Sequence, residues 1–191
     1  MARNFLAGPV LPLARKKNCA NLQIGGFFME LPENLVRILV QQVANEYQSA
    51  YLYLGMAAYF EQTPFGGFAR WMRRQAAEEV EHGGRIFSYL VDRGAPVELR
   101  AIERVPCSYP SPLEAFRTAF SHEQRVTRWI RDIYELALLE KDYETMEFAN
   151  WFLKEQIEEE KQTRGWVERI AFAADQRGAL FSLDAEAGKE L

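Results

Sequence analysis

The chain has 191 residues, 48% of them hydrophobic and 26% charged, and carries a net charge of −4. That length and composition predict one packed domain, with or without a tail, and the acidic balance argues against a general nucleic-acid binder, which would present a basic face. Its two cysteines, Cys19 and Cys107, lie far apart and outside any C-x-x-C pattern, so neither a disulfide framework nor a zinc knuckle is expected and a reducing cytoplasm fits.

Residues 1–30 differ from the rest. They hold Gly8, Gly25, Gly26, Pro9 and Pro12 without a sustained period, and read as a poorly ordered extension. The apolar run Phe5 to Leu13 precedes the basic Arg15-Lys16-Lys17, the reverse of the order a secretory signal needs. Met29 is read as a candidate for the natural start. No run of 18 apolar residues occurs, so no membrane-spanning helix is expected.

Residues 31–175 are predicted to be all-α, a bundle of four long helices. The first starts at Pro32, a favoured first-turn residue, and its apolar stripe runs Leu35, Leu39, Val43, Tyr47, Ala50, Leu54, Ala57 and Glu61. Pro64, Gly66 and Gly67 break it. The second carries Phe68, Met72, Ala76, Glu79, His82, Ile86 and Tyr89 on one face and ends near Gly94. A proline-containing stretch from Ala95 to Pro110 reads as a long crossover. Ser111-Pro112-Leu113-Glu114 then combines an N-cap serine, a first-turn proline and a capping-box glutamate. The third helix follows through Phe116, Phe120, Glu123, Thr127, Ile130, Tyr134 and Ala137. Asp142 is expected to cap the fourth, which carries Met146, Ala149, Leu153, Gln156, Glu159 or Glu160, Thr163, Val167 and Ile170. Residues 176–191 are expected to hold a short helix from about Ala179. Helices of roughly 25 to 30 residues far exceed the usual ~11 to 12. Four of them with one long crossover match ferritin-like bundle topology.

The stripes are interrupted by charge. Glu46 sits among Val43, Tyr47 and Ala50; Glu79 and His82 lie between Ala76 and Ile86. Glu123 lies between Phe120 and Ile130, and Gln156 and Glu159 follow Phe152 and Leu153. Each helix thus brings a carboxylate to the middle of its apolar face, where a buried charge requires a partner or a metal. No lysine or arginine occupies these stripe positions. Four glutamates would balance two divalent cations, and oxygen ligands with one imidazole suit iron or manganese better than a thiolate-seeking ion. Di-metal bundles of this topology take one Glu from each of two helices and Glu-x-x-His from each of the others. Here Glu79-Val80-Glu81-His82 fits once, whereas the fourth helix offers Gln156-Ile157-Glu158-Glu159. The second metal is therefore expected to be held by fewer strong ligands and to leave more readily. His122 is expected at the surface.

At these residues the chain resembles bacterial and archaeal non-haem ferritins. The matching segments include Asn45-Glu46-Tyr47, Tyr51-Leu52-Tyr53, Ala77 to His82, His122-Glu123 and Asn150 to Glu160, and the likeness runs from about residue 31 to the end. The resemblance implies iron storage with ferroxidase activity, oxidising Fe(II) to Fe(III) with dioxygen or hydrogen peroxide. It implies a first iron on Glu46, Glu79 and His82, and a second on Glu123 and Glu159, with Glu79 bridging and Gln156 close by. Tyr53 matches the tyrosine near the family's centre and Trp151 a nearby aromatic. Glu78, Glu155, Glu158 and Glu159 resemble the ligands of a third iron. Bacterioferritins place a haem-binding methionine where this chain has Val80, so haem is not expected. The resemblance also implies a cytoplasmic homo-oligomer, a 24-subunit shell around a ferric mineral, with Leu180, Phe181 and Leu183 on a helix lining a symmetry axis.

Overall fold

A computed structural model describes residues 30–173 and 176–189 of the chain, without the side chain of Arg177. Residues 1–29, most of the expected N-terminal extension, lie outside the described residues. The elements are α1 (Glu33–Glu61), α2 (Gly66–Asp92), α3 (Pro112–Glu140), α4 (Tyr143–Ala173) and α5 (Arg177–Ala187). The all-α bundle with a short fifth helix is the architecture expected from the sequence. α1 packs on α2 and α3 on α4, while α5 rests on both α2 and α4.

Helix ends follow local chemistry. Pro32 stands just before α1 rather than inside it. α2 closes at Gly94, whose φ of 68° lies in the left-handed region glycine tolerates. Ser111 caps α3, its Oγ accepting from the Glu114 backbone N–H at 3.3 Å. The reciprocal half of the expected capping box is absent, because the Glu114 carboxylate pairs with Arg117 at 2.7 Å instead. Asp142 caps α4, its Oδ1 accepting from the Thr145 N–H at 2.9 Å. The same carboxylate takes two hydrogen bonds from Arg93, at 2.9 and 2.6 Å, which ties the end of α2 to the start of α4. That pairing holds the Asp142 carboxyl down at about 2.

Gly66 and Gly67 belong to the first turn of α2, not to the break before it. A Cβ on Gly67 would stand 1.7 Å from the Asp184 carbonyl oxygen, so α5 can approach α2 only because no side chain is there. Asp184 answers from α5: its Oδ1 accepts the Phe68 N–H at 2.7 Å, supplying the N-terminal cap that Phe65 lacks. The crossover runs along α1. Gln48 exchanges two hydrogen bonds with the Glu103 backbone, and Gly55 lets Pro106 pass over the helix.

Apolar burial divides into two clusters. One holds Phe60, Phe68, Trp71, Phe116 and Trp166; the other holds Leu35, Leu39, Ile86, Leu90, Ile130 and Ile133. Two expected stripe positions, Leu54 and Glu61, are exposed. A spacing of four overshoots the 3.6-residue turn, so a stripe extended by fours drifts off the core face.

Candidate metal centre

Between the two apolar clusters lies a belt of buried polar groups. Glu46 and Glu123 have no exposed surface, Glu79 is 4% exposed, and Gln156, His82 and Glu159 are also buried. Ligand atoms of Glu46, Glu79 and His82 lie within 4.8 Å of one another, and His82 Nδ1 stands 3.4 Å from Glu79 Oε2. Tyr53 donates its hydroxyl proton to Glu123 Oε1 at 2.5 Å. Gln156 donates from Nε2 to Glu123 Oε2 at 3.2 Å. Thr127 donates to Glu160 Oε1 at 2.6 Å, and Glu159 is the buried α4 carboxylate, close enough to Glu123 for that charge to raise it.

The electrostatics of the belt favour a cation. Burial, together with the neighbouring glutamates, pushes all four carboxyls upward. Glu46 rises to about 7, chiefly through burial and against hydrogen bonds from Gln42 and Glu79. Glu159 rises to about 8, through burial and then the charges of Glu123, Glu78, Glu155 and Glu158. Glu79 rises well above the carboxylate range, and Glu123 rises too. His82 is held down at about 4 by burial and the Arg85 charge, so its imidazole is neutral and free to ligate. Burial and the surrounding carboxylates keep the Tyr53 phenol protonated. Glu46 Oε2 and Glu79 Oε2 are buried and find no hydrogen-bond donor among the described residues. An orphaned buried carboxylate oxygen is costly, and two adjacent carboxylates that each keep one beside a neutral imidazole fit a hard divalent cation.

Two openings flank the belt. A cavity of about 360 Å³ reaches His82 and Glu159 and is lined by Glu78, Glu81, Glu155 and Glu158. Three sequence-predicted residues, Glu78, Glu155 and Glu158, thus gather there with Glu159 rather than in the buried belt. On the α3–α4 side a cavity of about 570 Å³ reaches Gln156 and Thr127, and its charges are Arg131, Lys161 and Arg164 against Glu160.

His122, expected at the surface, is 2% exposed. Its Nδ1 accepts from Arg125 at 2.9 Å, which leaves the Nε2 proton to be donated to Ser49 Oγ at 2.6 Å. Ser49 passes its own proton to the Asn45 carbonyl at 3.0 Å. The chain of bonds fixes the register of α3 against α1 next to Glu123. Sequence reasoning also missed Gln42, whose Nε2 donates to Glu46 Oε1 at 2.9 Å. Its position one turn before Glu46 on the same face was the available signal.

The chain matches the ferritin-like domain family over residues 36–173. It is 39% identical over 158 residues to the bacterial non-heme ferritin of Staphylococcus aureus, covering 83% of this chain and 95% of that one. It is 35% identical over 159 residues to the bacterial non-heme ferritin of Bacteroides fragilis, covering 83% and 99%. Among solved structures it superposes on an open pore ferritin from the hyperthermophilic archaeon Archaeoglobus fulgidus with a TM-score of 0.84 and 38% identity, covering 85% of this chain and 99% of that one. An engineered closed form of the same ferritin gives a TM-score of 0.83 at 38% identity. Bundle topology, the carboxylate belt between its two cores and the extent of these matches agree: the chain belongs to the ferritin family.

Proposed function

We propose that this ferritin-family chain stores iron and that its buried belt is the ferroxidase centre, which takes Fe(II) as substrate. One iron is assigned to Glu46, Glu79 and His82. The second is assigned to Glu123 and Glu159, with Glu79 bridging and Gln156 orienting Glu123. The observation that carries the reading is that Glu46, Glu79 and His82 bring ligand atoms within 4.8 Å of one another while each of the two carboxylates keeps a buried oxygen without a hydrogen-bond donor.

Each part of the belt has a task. The four carboxyls release their protons as cations arrive, and the attraction that replaces those protons holds the two ions close together. Each Fe(II) gives up one electron, and dioxygen or hydrogen peroxide accepts them. Tyr53 keeps Glu123 in place by its hydroxyl and is positioned to supply a further electron. On the second iron Gln156 contributes a neutral amide where a second histidine is absent, so that ion is held less tightly and moves on to storage. Glu78, Glu155 and Glu158, with Glu159, form the third iron position, between the centre and the opening beside His82.

The storage form is proposed to be a homo-oligomeric shell of 24 chains in the cytoplasm. No described helix is long and apolar enough to cross a membrane. Anaerobic Fe(II) titration, followed by oxygen and sizing of the product, tests the whole reading. Many irons retained per chain in a large particle are expected. About two irons that stay in place would mean an oxidase that keeps its metals, and no uptake would reduce the chain to a scaffold.

A further inference from the structure

The opening beside His82 is acidic, yet one residue in its wall is a cation. Arg85 projects from α2 one turn beyond Glu81, among Glu78, Glu155, Glu158 and Glu159. Its guanidinium carbon lies 3.8 Å from the centre of the Trp151 ring. The Trp151 ring meets His82 edge to face, with centroids 5.7 Å apart at 79°. Arg85 has no carboxylate within ion-pair distance among the described residues, although several line the same cavity. Lys161 pairs with Glu158 at 3.2 Å, in a contact exposed to solvent. Arg85 is therefore held by an aromatic face, not by a salt bridge, in a cavity whose field favours any cation. A planar guanidinium stacks in this way; a compact ammonium is hydrated and pairs instead.

We infer that Arg85 is a resident counter-cation of this vestibule, resting on Trp151 until a divalent cation displaces it. The inference rests on the proposed role of the belt as an Fe(II) site. A bare cluster of glutamates at the mouth would hold a divalent ion firmly and keep it from moving inward. A positive charge already in the wall of the same cavity weakens that hold and favours onward passage to Glu46, Glu79 and His82. Its location on a flexible arm lets the same charge swing aside as the ion passes.

The test titrates redox-inert Zn(II) into the iron-free assembled protein, by calorimetry and tryptophan emission, at low and moderate salt. The wild type is compared with Arg85→Gln, Arg85→Lys and Trp151→Phe. Removing the charge is expected to tighten the outermost binding step by about tenfold, since a full charge then no longer opposes the dication. The gain should shrink as salt rises. Arg85→Lys, which keeps the charge, should stay within about twofold of wild type on the same argument. Wild type should show an emission change on that step which Arg85→Gln and Trp151→Phe lose. During repeated turnover with Fe(II), Arg85→Gln should slow after an unchanged first turnover.

Unchanged Zn(II) affinity in Arg85→Gln overturns the proposal. So does equal tightening in Arg85→Lys, which would make ring packing rather than charge the cause, or a wild type with no emission change. Failure of the wild type to bind Zn(II) at all would sink the metal-centre reading itself.

Discussion

The Glu79 carboxyl is buried beside Glu46, Glu123 and Glu159, and burial with those charges drives its proton affinity up. Glu79→Gln removes the ionisable group and keeps the shape. Two opposite effects are expected: the initial rate of Fe(II) oxidation falls by about 100-fold or more, beyond the 10–100-fold typical of losing a ligand's supporting partner. The thermal midpoint of the metal-free protein at pH 8 rises, by about 2–4 °C for each kcal/mol of relief. A variant that loses activity and stability together would count against the assignment. The pH dependence has the same origin. Folded Glu46 and Glu159 hold protons up to about 7 and about 8, above the ordinary carboxylate range. Between that range and pH 8 the folded state therefore binds more protons than the unfolded one, and metal-free stability is greatest on the acid side and falls as pH rises through both values. Metal must displace those protons, so anaerobic Fe(II) uptake at pH 6.5 should release more of them than at pH 8.5 and be weaker. A pH indicator in the titration measures both.

At the level of the helices, the joints between elements decide the geometry of the centre. Asp142 is 3% exposed, receives two hydrogen bonds from Arg93 and caps α4 through the Thr145 N–H. Asp142→Ala leaves Arg93 partly buried without its partner and uncaps the helix, so a loss of about 3 kcal/mol is expected in denaturant unfolding. The folded-state value of about 2 lies below the unfolded one, so this contribution is present above the ordinary aspartate range and is lost as pH falls through about 2. Gly67→Ala drives a methyl group into the Asp184 backbone and should detach α5, seen as rapid amide exchange over Arg177–Ala187 with α1 to α4 still protected. Much at this scale was legible in the sequence. Ser111, Asp142 and Gly94 announced the helix boundaries they occupy, because capping is local chemistry. The trans cap from Asp184 and the Glu114–Arg117 pairing were not legible, since each depends on which side chains meet once helices have packed.

The isolated chain leaves large apolar side chains in solvent: Phe172 is 90% exposed, Leu139 78% and Ile157 71%. Single exposed apolar residues are ordinary, but α3 and α4 carry several toward the ends of the bundle and α5 adds Phe181. Their burial against other copies of the chain fits the proposed shell. Phe172→Glu is expected to give smaller particles by light scattering while circular dichroism stays helical. An unchanged particle size would place Phe172 outside the subunit contacts.

Sequence alone determined the four helical periods, the caps at Ser111 and Asp142, the long crossover and a carboxylate on every apolar stripe, because periodicity and local capping are properties of neighbouring residues. The Gln-x-x-Glu spacing and the family resemblance picked out Glu159, but that Thr127 of another helix takes the Glu160 carboxylate was visible only in the fold. Sequence reasoning misplaced His122, whose burial depends on Ser49 across the bundle and on an arginine one turn away. Nor did it reveal Arg85 lying on Trp151 above His82. The contacts of His122 with Ser49, Thr127 with Glu160 and Arg85 with Trp151 join residues on different helices, and only packing decides which faces of two rods meet.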